Sequence, residues 1–286
     1  MNNGDEPDYT RMREAIELTH GHIFILGTIV FFSIINWIIK TKGPPKSLSD
    51  EEWKWRNLYV SWVHAFCSSV WVLSSMIFCS EMFSDLFHYI NHFTYFCVCF
   101  GTGYFIYDSL DLLVNNRLLQ MWEVVLHHLA VTSMFYYNVN IRAQIAFSIV
   151  ALSVEVNSFF LHWRKLLQMV KTPFDSPLYL TIKYINLVTF AVFRGVPLYV
   201  ITYSVFTMGH MVTTAYYIGI CLSMFVMDVL NVILFWRLLK SDLLRGPSGS
   251  PRSKQHSALH HESKTNGHVT SNNHSGNVPN SVMKEE

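Results

Sequence analysis

The chain has 286 residues, and its composition is that of a membrane protein. Hydrophobic residues make up 51% of the sequence and charged residues only 14%, whereas about a quarter of an ordinary soluble domain is charged. This balance argues against a soluble globular protein. The formal net charge is +1 and no basic run resembles a nucleic-acid-binding surface, so we expect no nucleic-acid partner.

Seven stretches are long and apolar enough to cross a bilayer as helices. A spanning helix needs about 20 mostly apolar residues, because the hydrocarbon layer is about 30 Å thick and each residue adds 1.5 Å. In chain order the stretches are residues 20–39, 57–80, 88–112, 122–140, 143–162, 180–206 and 212–236. We therefore predict an all-α, polytopic membrane protein of about seven transmembrane helices.

The first stretch, residues 20–39, has two interpretations. It could be a cleaved signal peptide, but the segment before it is long and acidic and no small-residue cleavage site follows. A retained leading helix is favoured. Gly43-Pro44-Pro45 then separates this helix from a unit of six helices.

The distribution of Lys and Arg predicts the orientation of the chain. Positive charges are concentrated in the first, third and fifth connections and after the last helix, and the second and sixth connections have none. Since such charges stay on the cytosolic side, residues 1–19 are expected outside the cytosol. Residues 246–286 are rich in Ser, Asn, His, Gly and Pro, and we expect them to form a disordered cytosolic tail.

Ionisable and amide side chains occur within the apolar stretches, where insertion is costly and usually indicates function. Eight of the ionisable side chains fall in the predicted cytosolic half of the membrane, and Arg194 lies near the middle of the membrane. This shared depth predicts one polar chamber that lines a lipid cavity. The residues are His64, Asp108, Asp111, Glu123, His127, His128, Glu155, Asn157, Arg194 and Asp228.

Structural roles are the alternative for each of these residues. Asp108 and Asp111 share a helix face and could extend to the membrane surface. Glu123 lies in a first helical turn, where a carboxylate complements the helix dipole. Glu155 and Arg194 could form an ion pair without chemistry. No metal-ligand spacing such as H-E-x-x-H is present, and we predict neither a metal nor a cofactor.

Several motifs together resemble those of TLC-domain proteins, over residues 53–242. The motifs are Trp53-x-Trp55-Arg56-Asn57-Leu58 with Ser61 and His64, Gly103-Tyr104-Phe105-Ile106-x-Asp108-x-x-Asp111, Trp122-Glu123-x-x-x-His127-His128, Val154-Glu155-Val156-Asn157, and Lys183-Tyr184-x-Asn186-Leu187-Val188 leading to Phe193-Arg194. As a set they are most similar to the small TLC-domain proteins that limit membrane fluidity.

The resemblance implies a six-helix TLC bundle around a lipid-sized cavity, preceded here by one extra helix. It also implies a role in limiting the incorporation of long-chain polyunsaturated acyl chains into phospholipids, which promotes membrane rigidity. The expected partners are membrane lipids or acyl chains. The expected location is the plasma membrane, with the endoplasmic reticulum as the alternative. No catalytic step is implied for this branch.

A second branch of the family, the ceramide synthases, implies acyltransferase chemistry. Their motif pairs His-His on one helix with His-Asp-x-x-Asp on the next. The pair His127-His128 matches, but Val154-Glu155-x-x-Ser158 stands where the second half should be. In this alternative His127 or His128 acts as base or acyl carrier, oriented by a carboxylate. The candidates for that carboxylate are Asp108, Asp111 and Glu155.

A seven-helix receptor would share the predicted orientation. The sequence has no cysteine pair in its loops, no Arg after Asp108-x-x-Asp111, and no Asn-Pro turn in its last helix. These features argue against a receptor.

Overall fold

The computed structural model describes residues 9–242, and within that range every regular element is helical. Short 3₁₀ turns at Lys46–Glu51, Ser80–Phe83 and Gly209–Met211 and a π-helical turn at Ala191–Gly195 connect the α-helices. The all-α prediction is confirmed. The α-helices are α1 (Tyr9–Ala15), α2 (Leu18–Lys42), α3 (Glu52–Phe78), α4 (His92–Val114), α5 (Trp122–Ile141), α6 (Ile145–Leu152), α7 (Val154–Met169), α8 (Pro177–Phe190), α9 (Val196–Met208) and α10 (Thr214–Asp242).

Six helical stretches are long and apolar enough to cross a membrane. α6 and α7 together make one of them, and α8 and α9 make another through the π-helical turn. The six are Leu18–Lys42, Lys46–Phe78, His92–Val114, Ile145–Met169, Pro177–Thr207 and Thr214–Ser241. The chain is therefore a multi-pass membrane protein.

The predicted stretch 122–140 corresponds to α5, which is not among these six. α5 has 20 residues, enough to span, but Glu123, the two adjacent histidines and the asparagines near its end lower its hydropathy. It nevertheless runs antiparallel to α4 along the bundle: the Tyr95 hydroxyl donates to the Val139 carbonyl at 3.4 Å, and Asp108 lies 3.2 Å from His128. The count of seven crossings stays a prediction.

The bundle has two ends, which we name by one residue each. At the Asp111 end, the indole of Trp53 and the amide of Asn36 bond to the Asp111 carboxylate. At the Asn138 end, α5 turns into α6 and Asn138 bonds to Ser148. The charge distribution predicts that the Asp111 end faces the cytosol.

The leading helix α2 packs closely against α4. A Cβ placed on Gly103 would lie 2.8 Å from the backbone oxygen of Ile25 and 2.7 Å from Thr28, so only glycine permits this approach. Phe32 of α2 is fully buried, and its ring lies against those of His64 and Tyr104. Phe32 of α2 is thus part of the core.

Two of the predicted segments lie partly or wholly outside the described residues. They are the first eight residues of the extracytosolic segment 1–19 and the cytosolic tail 246–286. Of the described residues, 9–239 form one compact unit.

Candidate functional site

His64 of α3 is held on several sides in the middle of the bundle. It is 1% exposed, and its ring stacks on Tyr104 with centroids 3.5 Å apart and an interplanar angle of 8°. Ser68, one helical turn further on, hydrogen-bonds Nε2 at 2.9 Å. The other nitrogen, Nδ1, lies 3.8 Å from Oε2 of Glu155 on α7. The imidazole is therefore fixed in orientation beside a carboxylate from another helix.

His128 of α5 lies next to Asp108 of α4. Its Nδ1 is 3.2 Å from Oδ2 of Asp108, and both side chains are buried. The direction of approach is unsuitable for a hydrogen bond, and within the described part of the chain this Nδ1 has no hydrogen-bond partner. The other carboxylate oxygen of Asp108 accepts from the Asn57 amide at 2.7 Å.

Asp111 has different surroundings although it shares a helix face with Asp108. Its carboxylate accepts from Trp53 Nε1 at 3.0 Å, from Asn115 Nδ2 at 3.1 Å and from Asn36 Nδ2 at 3.4 Å. Arg56 lies 3.9 Å away. Asp111 thus joins α2, α3 and α4 at the end of the bundle.

His127 points in another direction from His128, as their angular offset on a helix predicts. It lines an internal cavity of about 90 Å³ that lies among α4, α5, α6, α7, α9 and α10. Its Nδ1 is 3.1 Å from the Met227 sulfur, a weak acceptor. Glu155 lines the same cavity, so two of the candidate residues meet at its wall.

The rest of the cavity is predominantly apolar, and it is built from regular helix faces. The α5 residues that line it recur at intervals of three and four, and so do most of those from α10, which places each set on one stripe. From α5 they are His127, Ala130, Val131, Met134, Phe135 and Asn138, and from α10 Tyr216, Ile220, Ser223, Met224 and Met227. Such a wall suits a narrow apolar chain.

Arg194, in the π-helical turn, is buried, and each of its three guanidinium nitrogens donates a hydrogen bond. Nε donates to Asn157 Oδ1 at 2.7 Å, and the terminal nitrogens donate to Asn231 Oδ1 and Ser158 Oγ, each at 2.8 Å. The Asn157 amide in turn donates to the Asn186 carbonyl. The hydrogen-bond partners of the guanidinium are thus neutral side chains that join α7, α8 and α10, and Glu155 also interacts electrostatically with Arg194.

None of the five candidate lipid-cavity residues is among the residues that line this cavity; they are His64, Glu123, Asn157, Arg194 and Asp228. Glu123 forms a two-point ion pair with Arg237, with both N–O distances 2.7 Å. Asp228 accepts from the Thr202 hydroxyl at 3.3 Å. Both positions fit helix-to-helix contacts.

Sequence reasoning missed three side chains of this region. Tyr104 and Ser68 both contact His64, and His162 of α7 interacts electrostatically with His64 and His128. His162 is seven residues beyond Glu155 and so lies on the same helix face. This seven-residue spacing was the signal in the sequence that could have identified His162. No group of three or more potential metal ligands occurs within residues 9–242.

The arrangement provides two imidazoles next to carboxylates and a third imidazole at a cavity wall. A histidine beside an oriented carboxylate can accept and return a proton. The apolar lining of the cavity next to it suits a segment of a hydrocarbon chain. Together these features suit a lipid ligand, with or without a chemical step.

Comparisons with known proteins agree with this geometry. The TLC domain pattern matches residues 54–240. The chain is 34% identical over 221 residues to TLC domain-containing protein 2 of Danio rerio, covering 76% of this chain and 88% of that protein. It is 31% identical over 205 residues to human TLC domain-containing protein 1, covering 71% and 80%, and 30% identical over 243 residues to human TLC domain-containing protein 2, covering 84% and 91%. No solved structure matches.

A matched domain that includes all of α4, α5 and α7, together with relatives that are similar over most of their own length, settles the classification. The chain belongs to the TLC-domain family.

Proposed function

We propose that the protein limits the incorporation of long-chain polyunsaturated acyl chains into phospholipids, and so keeps the plasma membrane more rigid. Membership of the TLC-domain family supports a lipid-related function in a membrane. The observation that carries the proposal is the apolar cavity inside the bundle, whose wall includes His127 and Glu155.

The cavity wall suits an unsaturated chain in particular. Three thioethers line it, from Met134, Met224 and Met227, and such groups are polarizable and adapt to irregular shapes. Phe105 and Phe135 add aromatic faces. A chain bent by cis double bonds is accommodated by this kind of flexible lining. Binding there withholds the chain from phospholipid synthesis.

The test uses cells that lack the protein and receive an isotope-labelled polyunsaturated fatty acid. We expect the labelled share of phospholipid to rise and membrane order to fall, as measured by mass spectrometry and an order-sensitive dye. Wild-type protein should restore both values. An unchanged lipid profile in the deficient cells would refute the proposal.

A pair of neighbouring substitutions connects this result to the cavity. Ala130 is 7% exposed and lines the cavity, whereas Leu129 is 66% exposed on the outer face of the same helix. Ala130→Phe fills the cavity and should fail to restore the lipid profile. Leu129→Phe adds a similar ring outside and should restore it. Membrane abundance of both variants serves as the folding control.

Acyl transfer is a second candidate, and the contacts of His128 with Asp108 and of His64 with Glu155 favour it. Here His127 or His128 is the base or acyl carrier, and Asp108 or Glu155 orients it. Purified protein would be incubated with labelled acyl-CoA and either a sphingoid amine or a lysophospholipid. Labelled product from wild type that disappears in His127→Ala or His128→Ala supports this function. Absence of product with both acceptors counts against it.

A further inference from the structure

The cavity has a second polar wall at the end opposite to His127. Asn138 lies eleven residues further along α5, which corresponds to about 16 Å. Its side chain is 4% exposed and lines the cavity together with Ser148 and Tyr216. An adjoining hollow of about 50 Å³ shares Tyr216 and is also lined by Gln144.

Hydrogen bonds fix which atom of Asn138 is available. The Ser148 hydroxyl donates to the Gln144 carbonyl at 3.2 Å, so it has no second proton and must accept from Asn138 Nδ2, which lies 3.0 Å away. This orients the amide. Tyr216 is close to the amide, yet Oδ1 of Asn138 has no hydrogen-bond partner among the described residues, and neither does Oε1 of Gln144.

Two buried acceptors without donors are costly to leave unpaired. Their partial negative charges disfavour a carboxylate or phosphate at this end and favour a group that presents an O–H. A ligand hydroxyl would replace the missing donor while its chain lies along the apolar wall towards His127. There the Met227 sulfur covers one imidazole nitrogen and gives the chain a soft contact.

We propose that Asn138 and Gln144 form a binding site for the head of an uncharged, single-chain lipid that carries a hydroxyl group. The inference rests on the proposed function in one respect, since it takes the cavity to hold one hydrocarbon chain. It adds the chemistry of the head and the direction of the chain, with the head at the Asn138 end.

The test measures displacement of tritiated oleyl alcohol from the purified full-length protein in nanodiscs. Unlabelled oleyl alcohol and methyl oleate are the competitors, because their chains are alike but only the alcohol is a donor. We expect the ester to compete at least about fivefold more weakly, as the loss of one hydrogen bond to a buried acceptor implies. Equal competition would overturn the donor site and leave chain binding, and with it the proposed function, intact.

Substitutions test whether the preference for the alcohol over the ester depends on Asn138. Asn138→Leu should bring the two competitors to within about twofold of each other, because the acceptor is gone. The matched control is Asn140→Leu, since this nearby amide bonds to His22 and to the Tyr136 carbonyl, away from the cavity wall. It should retain the preference. A preference that persists in Asn138→Leu would contradict the proposal.

A second measurement needs no variant. Oleyl alcohol with a diazirine beside the hydroxyl-bearing carbon is photolysed in the wild-type protein, and the labelled peptides are identified by mass spectrometry. Label on Asn138, Ser148 or Tyr216 supports the proposed direction. Label on His127 or Met227 instead would show the reverse direction and overturn it.

Discussion

Two buried polar regions of this bundle differ in how completely their hydrogen bonds are made. Around Arg194, three guanidinium nitrogens each donate to a neutral oxygen at 2.7 or 2.8 Å. Around the histidines, His128 Nδ1 has no hydrogen bond within the described residues, and the recorded partner of His127 Nδ1 is a thioether. Both regions are buried in the same fold, so depth alone does not explain the difference.

The difference separates a structural role from a functional one. A buried charge whose three nitrogens each donate to a different protein group fixes the helices around it. A buried imidazole with an unused nitrogen costs stability and retains a group that a ligand can meet. Substitutions should therefore affect folding in the first region and lipid-dependent behaviour in the second.

The largest effect is expected for Arg194→Leu. The change leaves oxygen atoms of Asn157, Asn231 and Ser158 without their donor, and each buried acceptor left unpaired costs about 1–3 kcal/mol. The expected result is loss of the folded peak in fluorescence-detected size-exclusion chromatography. Arg194→Lys should not rescue it, because an ammonium lacks the planar fork that reaches three acceptors.

The control is Val192→Leu, an exposed position in the same π-helical turn, which should leave the folded peak unchanged. Wild-type thermal stability in Arg194→Leu would show that the network is dispensable and would remove the contrast between the two regions.

A smaller effect is expected at Gly103, where the leading helix α2 packs against α4. Gly103→Ala places a methyl group 2.8 Å from the Ile25 backbone oxygen, which cannot move away as a flexible side chain could. Overpacking of this kind costs about 1–3 kcal/mol, and the melting temperature should fall by several degrees. Gly27→Ala is the matched control, since nothing lies within 4 Å of its added Cβ. Equal melting temperatures for the two variants would contradict the close α2–α4 packing.

His128→Leu should change stability less than Gly103→Ala, and lipid composition more. Leucine fills a similar volume and removes a buried nitrogen that has no hydrogen bond, so the free energy of unfolding should change by no more than about 1 kcal/mol. The labelled polyunsaturated share of phospholipid should match that of cells lacking the protein. His92→Leu, at an exposed position of α4, should behave as wild type. A His128→Leu protein that unfolds would place His128 among the structural residues.

The helical fold was predictable because its causes are local. Long apolar stretches define the spans, and most predicted boundaries lie within a few residues of the observed helices. The opposite directions of His127 and His128 also follow from helix geometry alone. α5 shows the limit of hydropathy, since its polar residues keep it outside the six stretches defined by length and composition.

The partners of the polar residues were not predictable, since they depend on contacts between distant segments. Asp108 and Asp111 are three residues apart on one face, yet one lies by His128 and the other bonds to Trp53. Glu123 pairs with a residue 114 positions later. A single sequence contains no signal for such choices. The shared depth of the side chains predicted that they lie near one another, but not which of them pair.

The smallest effect is expected for Glu123→Gln, although the ion pair with Arg237 has short distances. The Glu123 side chain is 30% exposed and that of Arg237 is 61% exposed, so water and salt screen the attraction, and such pairs contribute about 0.2–1 kcal/mol. The melting temperature should change by no more than a few degrees, and less at high salt. A double-mutant cycle with Arg237→Gln measures the coupling. A loss as large as that of Gly103→Ala would mean that this pair, despite its exposure, belongs with the Arg194 network as a structural element of the bundle.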